Sequence, residues 1–376
     1  MSPVILEPPF DLEAVPDQPA VFLIVPREGK PYLARTALLR RRLRRLLGER
    51  AALSRLLSLR DLAVRVEYTL TASRLASSLV YYQLARIHFA GDYAERIKLR
   101  LSPFIKILLA NRFPRTSIST RLSAGKSFQL GPFRSRASAE RFEQEILDLF
   151  QVRRCQEDLA VSPDHPGCIY GEMMRCLRPC QEIVTPEEYS TEVHRLVQFF
   201  ATQGQSLLES IAQARERSSA NLDFEDAQRQ HQRHQRIEQV LKLRDELAAD
   251  VDKLCGAAVS PSVVPGAVEL HFLDRGLWHR PVEFDVSATG REALPLDRRL
   301  REVVAQLPQL RANARERAEN VSILARWYYS SWRDAEWFSC PSLDDLPYRR
   351  LVRALSKAAP PLTYRLADPI ESPTGS

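Results

Sequence analysis

The sequence predicts an α+β protein built from several modest domains. Three features lead to this prediction: β-branched and aromatic runs alternate with helical apolar stripes near the N-terminus, four cysteines follow within a short stretch, and a long polar helical segment comes behind them. At 376 residues the chain suits about two to four domains. We predict, in chain order, a disordered lead-in, a small α/β domain, a cysteine-rich region, a helical hairpin, C-terminal strands plus helices, and a Pro-rich tail. Their ranges are 1–17, 18–115, 116–185, 186–258, 259–356 and 357–376.

The small α/β domain is predicted to open with a hairpin, in which AVFLIV and YLAR flank the turn PREGKP. A helix follows in TALLRRRLRRLLGER, where leucines share one face at helical spacing: Leu39, Leu43, Leu46 and Leu47. Four arginines point away from that stripe: Arg40, Arg41, Arg44 and Arg45. Arg42 lies on its flank and can reach back over the hairpin. The strand LAVRVEYTL, the helix ASRLASSLVYYQLARIHF and the strand SPFIKILL complete the domain.

Positive charge is concentrated in this domain. The formal net charge is +7, yet between Arg27 and Arg115 there are 20 Lys and Arg against 6 Asp and Glu, a local excess of +14. Such a local excess is typical of a surface that meets phosphate. A membrane surface is the alternative, but the chain shows no lipidation motif and no strongly apolar amphipathic face. Without a secretory signal or an apolar run of roughly 20 residues, we expect a cytoplasmic protein.

Four cysteines stand in the spacing C-x12-C-x7-C-x3-C: Cys155, Cys168, Cys176 and Cys180. Thiolates gathered in one Pro- and Gly-punctuated stretch are able to hold zinc or an iron–sulfur cluster, since both take four sulfur ligands. Disulfides or isolated buried thiols are the alternatives. The expected reducing compartment favours a metal site.

A helical region is predicted after Cys180. Thr185, followed by Pro186 and Glu187, marks a helix start, and residues 204–254 predict an antiparallel hairpin with a break near Asn221–Phe224. Beyond it, AVELHFL and HRPVEFDV read as a further pair of strands.

Several of these segments, taken together, resemble the UvrC-type subunit of bacterial excinucleases over roughly residues 19–255. PAVFLIV and YLAR stand in the places of the strands P-G-V-Y and Y-I-G, LRRRLRR in that of the basic helix, and SPFIKI in that of the next strand. GPFRSRASAERF, CIYGEMMRCLRPC and LDFEDAQ match the family's F-G-P-Y segment, cysteine pattern and UVR motif. The cysteine segment is the most specific of these. The resemblance implies a GIY-YIG-like domain, a metal-cluster segment and a UVR-like hairpin.

The resemblance implies a nuclease site of which only part remains. Arg42 falls on the family's phosphate-holding arginine, Tyr32 on the second-strand tyrosine, and Arg35 on a nearby basic position. Phe22 replaces the first-strand tyrosine and Tyr81 the metal-binding glutamate. The two motif glycines are alanine here: Ala20 and Ala34. Magnesium is typically held by one or two carboxylates, and none occurs between Glu67 and Asp92, so a magnesium site lacks its ligand.

The resemblance also implies a cofactor and a partner. It shifts the choice of metal at the cysteines toward an iron–sulfur cluster of the 4Fe–4S type, with zinc still open. It further implies that the hairpin pairs with the damage-loading helicase subunit through the UVR-like positions Leu222, Phe224, Glu225 and Ala227. The second half of the hairpin departs from the family, because no apolar residue lies between Ala227 and Ile237. The C-terminal region is too short for the family's second nuclease domain and its DNA-binding motifs.

We therefore expect a UvrC-like DNA-binding protein of nucleotide excision repair, acting as an accessory or regulatory pseudo-nuclease. Arg42 then binds phosphate, or it is a structural arginine. Arg35, Arg40, Arg41, Arg44 and Arg45 are the expected DNA contacts. Two alternatives remain open. One is an active metal-dependent, structure-specific endonuclease whose carboxylate comes from elsewhere in the fold. The other is an iron–sulfur interaction protein that binds RNA or a protein partner.

Overall fold

The computed structural model describes residues 3–48, 59–287 and 294–359. Within these ranges it contains three antiparallel sheets with helices packed around them, which confirms the predicted α+β class. The expected Pro-rich tail, 357–376, lies almost wholly outside the described residues. In the same ranges, no helix combines the length and the apolar character needed to cross a bilayer.

The first sheet has the strand order β1-β4-β2-β3. Its strands are β1 (Val4–Leu6), β2 (Ala20–Pro26), β3 (Tyr32–Thr36) and β4 (Ala63–Leu70). The helices that follow its strands are α1 (Leu39–Leu47), α2 (Arg74–His88) and α3 (Tyr93–Ile97). All four leucines of the predicted stripe in α1 are buried against this sheet, as expected. The lead-in is ordered rather than loose in its described part, because β1 pairs with β4 and Val15 is buried in the same core.

The second sheet has the order β6-β5-β7-β8. Its strands are β5 (Phe104–Leu108), β6 (Thr116–Ser119), β7 (Ser127–Gly131) and β8 (Ala249–Asp250). The prediction that SPFIKILL completes the first α/β domain is therefore wrong: its strand, β5, pairs with β6 and β7. Helices α4 (Arg136–Leu147), α5 (Ile169–Glu172) and α6 (Pro186–Ala201) follow β7. The predicted start of α6 is confirmed, since Thr185 and Glu188 form a capping box.

An antiparallel helical hairpin follows, formed by α7 (Gln205–Ala220) and α8 (Phe224–Leu241), with its break where the sequence predicts it. The chain then returns to the second sheet as β8, where Ala249 pairs with Gly131 of β7. The range 186–258 assigned to the hairpin is thus not helical throughout, because α8 ends at Leu241.

The third sheet is built from the C-terminal strands, in the order β11-β10-β9-β13 with β12 paired to β10. Its strands are β9 (Cys255–Pro261), β10 (Ala267–Asp274), β11 (Leu277–Trp278), β12 (Val282–Asp285) and β13 (Glu336–Cys340). Its helices are α9 (Leu296–Ala305), α10 (Ala314–Tyr328) and α11 (Tyr348–Ala358). Glycine is required at Gly256, because a Cβ there would lie 2.4 Å from the Trp337 ring.

Helix α10 fastens the C-terminal region to the helices of the first sheet. The buried carboxylate of Glu319 accepts hydrogen bonds from the Tyr82 hydroxyl at 2.8 Å and from the Tyr93 hydroxyl at 2.8 Å. An ion pair between Arg86 and Glu316 lies beside them. Part of the surface of α2 is therefore covered by α10, through both polar and apolar contacts.

Candidate functional site

Arg42 and Tyr32 form one contact pair. The Arg42 Nη2 donates a hydrogen bond to the Tyr32 hydroxyl at 2.9 Å, and both side chains are partly buried. The Tyr32 ring also packs near the Phe22 ring, with centroids 6.0 Å apart. Strand pairing explains the grouping: Tyr32 pairs with Ile24, Ala34 pairs with Phe22, and side chains two apart share a face. The sequence prediction that Arg42 reaches back over the hairpin is confirmed.

Arg35 and Tyr81 form a second pair on the other side of the first sheet. Since Arg35 is an odd number of residues from Tyr32 on the same strand, its side chain leaves from the opposite face. Its guanidinium lies 4.8 Å from the centroid of the Tyr81 ring on α2. Desolvation and the nearby charge of Arg326 lower the pKa of Arg35, whereas Tyr81 opposes that change. In the described residues, no hydrogen bond, ion pair or ring contact joins this pair to Arg42.

Carboxylates are scarce around both pairs. The segments β2, β3, α1 and α2 contain no Asp or Glu, and β4 contains only Glu67. Glu67 is itself neutralised by Arg65, with Nε and Oε1 2.6 Å apart. A small cavity beside Tyr81 is lined, among described residues, by aromatic, apolar and cationic side chains and by Ser78, without an acidic side chain. In the described part of the chain, no carboxylate forms a hydrogen bond or an ion pair with the side chains of either pair.

The arginines on the outer face of α1 are less free than the sequence suggests. Arg40 donates from Nε to the carbonyl oxygen of Val15 at 2.6 Å, and Arg44 forms an ion pair with Glu13. Arg45 also has an interaction partner. The lead-in therefore engages part of the basic face. Arg41 joins it through its backbone N–H, which donates to the Asp17 carboxylate at 3.2 Å.

The four cysteines lie in an irregular segment packed against α6. Arg153 anchors its start: its backbone N–H donates to the Tyr189 hydroxyl at 3.0 Å, and its Nη1 donates to the Cys155 Sγ at 3.3 Å. The Cys176 Sγ accepts a hydrogen bond from the Arg178 backbone at 3.4 Å. Cys176 and Cys180 are buried, Cys155 is half-buried and Cys168 is exposed.

The four thiols interact electrostatically. Burial, with the other three thiols adding to it, raises the pKa of Cys176 to about 11, and burial also raises the pKa of Cys180. No disulfide joins these cysteines, all of which are free. Within the described residues, however, no group of three or more His, Cys, Asp or Glu side chains has the geometry to hold a metal ion. The predicted cluster is therefore not displayed as a converged ligand set.

The tip of the α7–α8 hairpin exposes two large apolar side chains. Leu222 is 72% exposed and Phe224 is 69% exposed, and Glu225 beside them is also exposed. Ala227 is half-buried one turn further along. Three of the four predicted partner positions thus face solvent at one end of the hairpin.

Sequence reasoning missed a basic cleft of about 820 Å³ between the second sheet and α10. Arg326 lines both this cleft and the cavity beside Tyr81. Its position on α10, far along the chain from the other basic residues, explains why local charge counting did not find it. A count of cations along a helix identifies a basic face, but it does not show which distant cations the fold brings beside it.

Comparisons with known proteins give a family-model match and several relatives. Residues 102–199 match the model of the UvrC/Cho excinuclease middle domain, a match that begins just before β5. UvrABC system protein C of Moorella thermoacetica is 26% identical over 267 residues, which is 70% of this chain and 43% of that protein. The protein of the same name from Lachnospira eligens is 23% identical over 271 residues, 71% of this chain and 44% of that protein.

A third relative, UvrABC system protein C of Francisella tularensis subsp. holarctica, is 27% identical over 198 residues, 52% of this chain and 32% of that protein. The chain spans less than half of the length of each of these relatives. No solved structure gives a significant match. The resemblance predicted from the cysteine segment and its flanking motifs is confirmed.

Proposed function

We propose that this chain, which is related to the UvrC-type excinuclease subunits, is a DNA-binding accessory or regulatory factor of nucleotide excision repair. In this proposal its N-terminal unit is GIY-YIG-like but does not cleave. One observation carries the proposal: Arg42 and Tyr32, which the resemblance aligns with the family's phosphate-holding arginine and second-strand tyrosine, form a hydrogen-bonded pair, and among the described residues no carboxylate forms a hydrogen bond or ion pair with either side chain.

The chemistry of phosphodiester cleavage supports this reading. Cleavage requires charge neutralisation at the phosphate, a nucleophilic water in place, and in this class a metal ion to serve both. Arg42 supplies one positive charge. The Tyr32 hydroxyl already accepts a hydrogen bond from Arg42, and the buried Phe22 brings no second hydroxyl. Without a carboxylate to seat a metal, the unit keeps a phosphate contact and loses the means to activate water.

An incision assay tests the proposal. Purified, anaerobically prepared protein is incubated with end-labelled lesion-bearing and bubble duplexes and magnesium or manganese, beside the variant Arg42→Ala and the control Arg349→Ala, which alters an exposed arginine on α11. We expect a shifted but uncut band that Arg42→Ala and added salt weaken. Metal-dependent cleavage that is lost in Arg42→Ala but kept in Arg349→Ala would instead establish the active-endonuclease alternative.

We further propose that the four cysteines hold a 4Fe–4S cluster, with zinc as the alternative. The donor set fits a soft metal, because one segment supplies four thiols and no disulfide removes them. Ligation requires the thiols to converge and deprotonate. Binding of the metal is therefore expected to bring the four cysteines of residues 155–180 together. Bound there, the group supplies a structural or electron-accepting centre.

Anaerobic purification with iron, sulfide and zinc analysis and visible absorbance identifies the metal. We expect Cys176→Ala to lose the bound metal and Cys340→Ala, which alters a half-buried thiol outside the segment, to keep it. Equal metal content in both variants and the parent would reject the site.

The hairpin tip supports the proposal of a protein partner, the damage-loading helicase subunit. Two exposed apolar side chains at a helix–helix turn suit docking against an apolar partner surface. We expect Phe224→Ser to weaken binding of the helicase subunit in a sedimentation or calorimetric assay, while Ile87→Ser, which alters a similarly exposed residue on α2, does not. Unchanged binding by Phe224→Ser would exclude the hairpin tip as the binding site for the helicase subunit.

A further inference from the structure

We propose that the cleft between the second sheet and α10 binds the phosphodiester backbone of a DNA strand. The proposal rests on the proposed DNA-binding function and assigns it a surface that lies outside the Arg42–Tyr32 pair and the face of α1. It involves no covalent chemistry.

The cleft gathers positive charge from three separate parts of the chain. Its cationic lining residues are Lys98, Arg100, Arg134, Arg136 and Arg326. Lys98 and Arg100 follow α3, Arg134 and Arg136 lie at the start of α4, and Arg326 lies near the end of α10. No Asp or Glu contributes to the described lining of the cleft. The fold thus brings cations together from positions more than two hundred residues apart.

Most of these cations lack a carboxylate partner. Arg136 pairs with Glu140 at 2.8 Å, but Lys98, Arg100, Arg134 and Arg326 form no ion pair with any described residue. All five residues are exposed. Like charges gathered without counterions repel one another, and a bound polyanion removes that repulsion while releasing its own condensed cations.

One further feature favours phosphate. The Arg134 guanidinium lies 4.9 Å from the centroid of the Tyr329 ring, which holds it at the cleft wall. The N-terminus of α4 is already capped by Ser135, and the Asp245 carboxylate accepts hydrogen bonds from the Arg134 backbone N–H at 2.7 Å and the Ser138 hydroxyl at 2.8 Å. The positive charge of the cleft is therefore carried by side chains.

The dimensions favour one strand over a duplex or a lone anion. A volume of about 820 Å³ falls in the range of sites for small ligands, about 300–1,000 Å³, and holds a short length of one strand. A single inorganic phosphate would engage only some of the five cations, whereas the successive phosphodiesters of a strand can engage several. Because Arg326 also lines the cavity beside Tyr81, a strand in the cleft runs toward the N-terminal unit.

The test compares two variants of equal charge. The cleft variant carries Lys98→Gln, Arg100→Gln and Arg134→Gln. The control carries Arg215→Gln, Arg233→Gln and Arg349→Gln, which replace exposed arginines away from the cleft. Fluorescence anisotropy with single-stranded and bubble DNA is measured from about 50 to 200 mM salt, and thermal melting confirms that both variants fold.

We expect the cleft variant to bind single-stranded DNA at least about tenfold more weakly and to lose about 2 units of salt slope, since each single-strand phosphate contact contributes about 0.7. The control should change little. Inorganic phosphate in millimolar excess should compete poorly. Equal losses in the two variants, or complete competition by inorganic phosphate, would overturn the assignment of the cleft to a strand.

Acetylation footprinting locates the contact independently of the variants. Bound DNA should protect Lys98 from an acetylating reagent and leave the exposed Lys357 reactive. If the parent protein binds no DNA, both the proposed function and the cleft proposal fail. If it binds DNA with Lys98 unprotected and with unchanged affinity in the cleft variant, the cleft proposal alone fails.

Discussion

The replacement Tyr82→Phe tests how α10 is held on α2. Glu319 is 4% exposed and Tyr82 is 5% exposed, and the hydroxyl donates to the carboxylate at 2.8 Å. A hydrogen bond to a charged group contributes about 1.5–3 kcal/mol. Tyr93 and Arg315 still donate to the same carboxylate, so the loss in the variant falls at the low end of that range. We expect the free energy of unfolding to drop by about 1.5 kcal/mol.

Urea unfolding followed by circular dichroism measures the change. A double-mutant cycle with Glu319→Gln should give a coupling energy of about 1 kcal/mol or more, because both partners of one buried bond are altered. Tyr81→Phe is the matched control: its hydroxyl forms no hydrogen bond with described residues, so its effect should stay within about 0.5 kcal/mol. If Tyr82→Phe and Glu319→Gln add to within about 0.5 kcal/mol, the bond does not hold the junction.

Three other outcomes follow from the structure. In metal-free protein, Ellman's reagent at pH 8 should modify the exposed Cys168 before Cys176, whose pKa burial raises to about 11; the opposite order in peptide mapping would contradict the placement of the segment. Gly256→Ala should lower the free energy of unfolding by about 1–3 kcal/mol, because its Cβ would clash with the Trp337 ring. An unchanged urea midpoint would show that the third sheet accommodates the Cβ without loss of stability. Burial raises the pKa of Tyr189 above the value near 10 of an unfolded chain, so the unfolded chain releases that proton first and stability falls as pH rises above about 10. Tyr189→Phe should flatten this fall in urea titrations, and an equal slope in the variant would refute the assignment.

Local periodicity predicted much of the fold. The leucine stripe of α1, the capping box that starts α6 and the break between α7 and α8 are all properties of a few neighbouring residues. The partner of β5 is different, because a short apolar run does not state which sheet it joins. The sequence therefore predicted correctly that SPFIKILL contains a strand, but it assigned that strand to the wrong sheet.

The site was less predictable for the same reason. The Arg42–Tyr32 contact follows from spacing within one hairpin and helix. The contacts of Arg40 and Arg44 with the lead-in, and the arrival of Arg326 beside Arg100, depend on how distant segments pack. A buried carboxylate such as Glu319 is likewise recognisable only after its tyrosine donors, more than two hundred residues earlier, are in place.

The pairing of Gly131 with Ala249 gives the hairpin a mechanical property. The chain leaves the second sheet at one strand and comes back at the adjacent one, a separation of about 4.8 Å, so both ends of residues 132–248 are clamped at a single spot. A force applied at Phe224 therefore reaches β7 and β8 along the chain from both ends of residues 132–248, and the cysteine segment lies between those ends. A partner docked at the tip is in this way connected to the second sheet at two adjacent strands.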